Sequence, residues 1–185
     1  MGVSPAQIQK AADLKQSLLR AAAQIILQDG VQALTLEAVA RQAGASKGAL
    51  LHHFRTKAEL LTVLMADLVE RFEAEMERFA ADDPDPRGRR TRAFINASAN
   101  SAAEESRLGV VVAAAFLFDP ALMRRWQEVA ERLIAQDLAE ADPVQASLLR
   151  LAADGLWVSE ACGLYPMSPE HRAAVVERLL SLTRA

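Results

Sequence analysis

The stretch Thr35–Phe54, TLEAVARQAGASKGALLHHF, reads as two short helices joined by a tight turn. Thr35 is suited to cap the first, because its hydroxyl can accept from an orphan backbone N–H. Leu36, Val39, Ala40 and Ala43 then fall at helical spacing on one face. Gly44 ends that helix, since glycine takes the left-handed conformation without a Cβ penalty. Ser46 caps the second helix, whose body is Lys47 to His53. Ala40 is small enough for the helices to cross closely, and Leu50 fills the space between them. That is the arrangement of a helix-turn-helix. Its solvent side carries Lys47, Gly48, Leu51 and His52, a short face that is polar and positive where DNA would lie. Two ordinary helices around a glycine turn share the local pattern, so the flanks decide between the readings.

Leu14 to Asp29 reads as a helix stopped by Gly30, and Lys57 opens a long helix just after the pair. With Ala21-Ala22, Gly30, Thr35, Val39-Ala40, Ala43-Gly44, Ser46, Gly48, Leu50, His53-Phe54, Lys57 and Leu60-Leu61, residues 14 to 65 resemble the N-terminal domain of the TetR/AcrR family of transcriptional regulators. One departure stands out: the family usually carries a phosphate-touching Tyr where this chain has Leu51. Leu51 loses that hydrogen bond and is left an apolar contact such as a thymine methyl. The DNA-facing candidates on the second helix are Ser46, Lys47, Gly48, Ala49, Leu51 and His52. Thr35, Arg41 and Lys57 complete the set as phosphate partners, although Arg41, like Arg20, reads equally well as a solvated charge.

Composition agrees with an all-α protein. Hydrophobic residues make up 51% of 185, strand formers never alternate over a useful length, and Ala, Leu, Glu and Arg dominate. The longest apolar run, Gly109 to Phe118, is too short to span a bilayer. No charged-then-apolar leader opens the sequence, and the single Cys162 fits a reducing cytoplasm. The net charge of −3 is unevenly spread. Residues 1 to 60 hold seven Lys/Arg against four Asp/Glu, and residues 61 to 185 hold fourteen against twenty. Only the N-terminal third suits a polyanion.

The division expected is a three-helix DNA-binding domain over residues 1–56, with the helix-turn-helix at 35–54, and a helical ligand-binding and dimerisation domain over residues 57–185. Together they would make about nine helices. Met1 to Ala12 reads as a frayed helical arm. Thr56 caps a connector helix over residues 57–80, whose stripe is Leu60, Leu61, Leu64, Met65, Leu68, Phe72, Met76 and Phe79. Lys57 in its first turn opposes the helix dipole unless an anion lies beside it. Pro84 and Pro86 break the chain. Arg87, Arg89, Arg90 and Arg92 then read as solvated partners of the acidic loop.

The helix from Arg92 to Ala103 is rich in small and polar residues. Either Phe94, Asn96, Ser98 and Asn100 line a ligand pocket, or the helix is simply half exposed. Phe116, Met123, Trp126 and Trp157 are further cavity candidates, with plain core the commoner role for such residues. Asp154 and Glu160 sit inside an apolar helix, where either binds a cation beside Trp157 or lies at an interface rim. Gly155, Ser159 and Gly163 recur every fourth residue with Ala152 alongside, which suggests a very close helix contact. With Val175, Leu179 and Leu182 of the last helix they form the candidate dimer face, the alternative being a monomeric bundle.

Enzymatic chemistry finds little support. His52 and His53 point in different directions on a helix, no metal is expected, and Cys162 reads as a buried thiol. No Gly-rich phosphate loop or paired carboxylate appears, so neither a cofactor nor a membrane is expected. The resemblance implies a homodimer on a palindromic DNA operator, most often a repressor released by a small, largely apolar effector, with activation left open. A helical enzyme or carrier, or a DNA-binding protein without an effector, are the rival readings.

Overall fold

A computed structural model describes residues 4–117, 119–137 and 142–184, apart from the side chains of residues 125, 126, 129, 133, 136 and 137. The expectation placed on Trp126 therefore lies outside the described residues. Those described form nine α-helices and one short 3-10 turn, with no strand among them. The N-terminal helices are α1 (Pro5–Asp29), α2 (Leu36–Gln42) and α3 (Lys47–His53), with the 3-10 turn Val31–Ala33 between α1 and α2. Then come α4 (Lys57–Ala81), α5 (Arg89–Asn100), α6 (Ala103–Phe116), α7 (Pro120–Asp137), α8 (Pro143–Cys162) and α9 (Pro169–Leu182).

Helix starts follow local chemistry. Thr35, Ser46, Thr56 and Ser168 each accept a hydrogen bond from the backbone N–H three residues on. Asp142 and Asp119 do the same for helices that begin with proline. The N-terminal arm is better ordered than its weak pattern suggests. Ser4 and Gln7 form a reciprocal capping box, so α1 begins nine residues before Leu14. The helix expected over Arg92 to Ala103 starts at Arg89 and breaks at Ser101, where the backbone turns extended. Gly163 lies at the end of α8 with φ +67°, so it terminates the helix instead of continuing the small-residue stripe.

Two cores hold the chain. The first gathers Leu18, Ile26, Leu34, Val39, Leu50, Phe54, Leu60 and Leu64, and extends into α6 through Leu108, Val112 and Phe116. The second gathers Met76, Phe94, Ile95, Leu149, Ala153 and Leu179 from α4, α5, α8 and α9. Helix α4 runs through both, about 37 Å from end to end at 1.5 Å per residue. Helix α6 thus packs its apolar face on the core of the N-terminal helices, across the boundary expected at residue 57.

The arginine cluster departs from its expected solvation: Arg89 and Arg90 are half-buried, Arg90 pairs with Glu77 of α4 at 2.5 Å, and Arg92 departs most. Arg92 is only 2% exposed. Its Nε donates to Asp83 at 2.5 Å, and its other nitrogens donate to the carbonyls of Asp85 and Arg87 and to the Thr183 hydroxyl. It ties the proline loop, α5 and the end of α9 together. Gly88 is at φ +67°, and a Cβ there would stand 2.8 Å from the Thr183 carbonyl oxygen. Only glycine allows that approach.

Candidate nucleic-acid interface and ligand cavity

The α2–α3 unit is closed by backbone chemistry. Gly44, at φ +63°, donates to the Arg41 carbonyl, and Ala45 donates to the Ala40 carbonyl at 2.9 Å. These are the paired bonds of a Schellman ending, and they satisfy the last carbonyls of α2. Ala40 is buried at the crossing and Leu50 is fully buried beneath it. Burying Leu50 is worth about 2–3 kcal/mol relative to leaving it in water.

The opposite side of α3 is open. Lys47, Gly48, Leu51 and His52 are exposed, Ala49 is half-buried, and Ser46 and Thr35 stand exposed at the two helix starts. Leu51, at 38% exposure, gives this polar face one apolar spot. Lys47 pairs with Glu37 across the two helices at 3.0 Å, and that hydrogen bond holds the Glu37 carboxyl below the usual range. Both partners are largely exposed, so the pair is easily exchanged for another. Arg41 is exposed on α2. His53 is half-buried; burial first, then the charges of His52 and Lys15, holds it below the ordinary histidine range. It packs tilted against Phe54.

Lys57 has a partner that its sequence did not announce. Its ammonium donates to the Val31 carbonyl at 2.6 Å, tying α4 to the 3-10 turn. An ammonium has three donors, so two remain for other acceptors.

A cavity of about 660 Å³ opens in the C-terminal part. It lies at the seam between the two cores. Met65, Leu68 and Val69 come from the first, and Phe94 and Ala97 from the second. Ser98, Asn100 and Trp157, three of the cavity candidates, are also on its wall. Asn96 is not, and the Asn100 amide donates to the Asn96 carbonyl at 2.8 Å. Phe116 and Met123 also lie outside the cavity. Phe116 is fully buried in the first core and Met123 packs against that core, because α6 and the start of α7 face the DNA-reading end.

Sequence reasoning missed several wall residues. Phe72 stands edge-on to Phe94 with ring centroids 5.3 Å apart. The Arg150 guanidinium lies over Phe94, 4.0 Å from its ring centre. Arg71 is on the wall and pairs with Glu105 at 2.7 Å and Asp67 at 3.0 Å. Asp154, singled out with Trp157, does line the cavity, whereas Glu160 is engaged by Arg172 outside it. The signal available was Arg150, Asp154 and Trp157 at i, i+4 and i+7 on one face of an otherwise apolar helix. Gly109 explains how Trp157 fits: a Cβ there would meet the indole Cζ2 at 2.9 Å, so the ring lies directly on the α6 backbone.

The proposed dimer residues divide. Ala152 and Gly155 are exposed on α8 and Ser159 is half-buried, its hydroxyl donating to the Gly155 carbonyl. Val175, Leu179 and Leu182 turn inward and pack with the second core. The apolar residues that α8 exposes are instead Val144, Leu148, Leu151 and Val158. Cys162 is exposed as well, not buried.

Among the described residues, no three His, Cys, Asp or Glu side chains converge as a metal site would require. No helix among them is long and apolar enough to cross a membrane. An all-helical chain with a short helix-turn-helix at one end, joined by one long helix to a helical domain with a cavity, has the architecture of a DNA-binding transcriptional regulator. Comparison makes the class specific. Residues 18–64 match the family model described as "Bacterial regulatory proteins, tetR family", and residues 88–184 match the "Tetracyclin repressor-like, C-terminal domain". The chain belongs to the TetR family of transcriptional regulators, which are not enzymes. It is 28% identical over 167 residues to the HTH-type transcriptional regulator BetI of Escherichia coli O127:H6, covering 83% of this chain and 85% of that one. The fold matches a transcriptional regulator of Rhodococcus sp. Rha1 (RHA1_ro04179) with TM-score 0.75 at 22% identity, over 91% of this chain and 95% of that one. It also matches the multidrug binding protein EbrR complexed with ethidium, with TM-score 0.67 at 25% identity, over 90% and 98% of the two chains.

Proposed function

We propose that this regulator is a homodimeric repressor that holds a palindromic operator and is released by a small, largely apolar effector. The observation that carries the reading is the position of the cavity. Met65, Leu68 and Val69 are both its wall and part of the core that supports the DNA-reading helices. A ligand there bears on α4 directly and on α6 through Gly109 and Trp157. It shifts the population towards whichever placement of the DNA-reading end it contacts better. The EbrR complex supports a small-molecule effector, since that relative holds ethidium.

On DNA, residues 1–56 do the reading and residues 57–185 the sensing and pairing. Lys47, Leu51 and His52 meet base edges or nearby backbone, with Ser46, Gly48 and Ala49 at the start of α3 close to the groove. Thr35, Arg41 and Lys57 hold phosphates. Lys57 keeps its Val31 bond while another of its protons meets the phosphate. Two copies place their α3 helices about 34 Å apart, in successive major grooves.

The dimer forms on α8 and α9. Val144, Leu148, Leu151, Gly155, Val158 and Cys162 are spaced four, three, four, three and four apart, all on the exposed side of α8. Such a seam in water calls for a cover, and a second copy supplies one with the same stripe. Ala152 borders it. Helix α9 contributes its small exposed residues Ala173 and Ala174, since Val175, Leu179 and Leu182 are already engaged. The molecule works in the cytoplasm, where the operator is.

Sedimentation of the purified protein with inverted-repeat duplexes tests this reading. A dimer that selects one such duplex, and leaves it when an effector is added, is the expected result. A monomer with no preference among duplexes would end the proposal.

A further inference from the structure

Among the described residues, the charges on the cavity wall are not balanced. Of the two arginines there, Arg71 is already paired with Asp67 and Glu105. The guanidinium of Arg150 covers the Phe94 ring. Among the three acids, Glu105 holds Arg71, and Glu75 holds Arg78 at 2.6 Å. Asp154 differs from both. It is half-buried in the middle of α8, one turn from Arg150 and one from Trp157. Among the described residues its carboxylate has neither a hydrogen bond nor a close ion pair, and only the field of Arg150 reaches it. Burial pushes this carboxyl above its ordinary range, against that field.

A carboxylate left unpartnered beside an apolar cavity is costly, and a ligand that brings a positive charge relieves the cost. The surroundings suit such a ligand. Trp157, Phe72 and Phe94 are on the same wall, and their ring faces attract a cation once it is desolvated. An anion could approach Arg150, but it would meet three carboxylates against two guanidinium groups on the described wall.

We propose that Asp154 makes the cavity selective for organic cations, accepting the charged nitrogen of a protonated amine or quaternary ammonium whose apolar body lies against Trp157, Phe72 and Phe94. This rests on the reading of the cavity as the effector site. It adds the charge of the effector, which an otherwise apolar lining does not specify.

Calorimetric titration of the whole protein with three matched probes tests the proposal. They are (naphthylmethyl)trimethylammonium, its uncharged neopentyl isostere, and naphthylmethanesulfonate. The cation is expected to bind about tenfold more tightly than the isostere. Asp154→Asn should remove that preference while leaving the isostere within about twofold, and Asp154→Glu, which keeps the charge, should retain most of it. Equal binding of cation and isostere overturns the cation selectivity while leaving the effector site standing. So does parallel loss of both in Asp154→Asn, and tighter binding of the sulfonate would make Arg150 the recognising group. If no probe binds, the effector reading of the cavity fails together with the proposal.

Discussion

Gly109 of α6 and Trp157 of α8 lie so close that a methyl group on the glycine would stand 2.9 Å from the indole Cζ2. The wall of the cavity on that side is therefore one ring resting on bare backbone. Gly109→Ala must displace the indole towards the cavity. It should cost about 1–3 kcal/mol in urea unfolding, as overpacking does. It should also weaken binding of ligands large enough to fill the cavity more than binding of small ones. An unaltered indole emission spectrum and unaltered ligand affinity would contradict this contact.

Arg92 and Asp83 form a nearly buried pair at 2.5 Å. The hydrogen bond from Arg92 is the main reason the Asp83 carboxyl lies below its ordinary range. The stability this contributes is therefore present above the unfolded carboxyl's pKa, about 4, and is lost as pH falls further through the folded value. Arg92→Ala strands the carboxylate and should cost about 3 kcal/mol at pH 7. It should also flatten the fall in stability below about pH 4. Urea midpoints measured from pH 7 to 2 check both, and parallel curves for the two proteins would refute the pairing.

Gly44 has open space where a Cβ would go, so its substitution isolates the cost of the backbone conformation. Gly44→Ala at φ +63° should destabilise by about 1–2 kcal/mol without any clash. Gly48 also has open space but is helical, so Gly48→Ala should stabilise α3 by up to about 1 kcal/mol. If the two replacements shift thermal unfolding in the same direction, the turn is not formed as described.

Lys57 is expected to join Val31 to a DNA phosphate. Lys57→Ala should weaken binding to every duplex and reduce the slope of log affinity against log salt by about 1 per subunit. A loss confined to the preferred operator would mean that Lys57 acts on sequence and not on charge.

Leu151 is 67% exposed in the middle of the α8 stripe and contributes to neither core. Leu151→Glu should dissociate the proposed dimer while leaving the subunit folded, as read by light scattering alongside helical circular dichroism. Persistence of the dimer would remove α8 from the interface.

How much of this was legible beforehand varies with distance along the chain. The helix-turn-helix could be read because its determinants are local. Caps at Thr35, Ser46 and Thr56, a left-handed glycine at 44 and apolar spacing each act within a few residues. The acidic C-terminal half was harder. Phe94 and Phe116 look alike as aromatic residues in apolar helices. Only one lines the cavity, because α5 faces α8 while the end of α6 turns to the DNA-reading core. In the sequence Arg92 looks like the other arginines of its cluster; it is buried because the end of α9 comes against Gly88 and closes the loop over it.

The amino-acid order alone determined the helices, their caps, the DNA-reading motif and the family it resembles, since each depends on the spacing of near neighbours. Tertiary structure decided which apolar residues became cavity wall, which became core and which stayed exposed on α8. That choice depends on where helices far apart in the chain come to lie, and helical periodicity gives the same stripe whichever neighbour covers it.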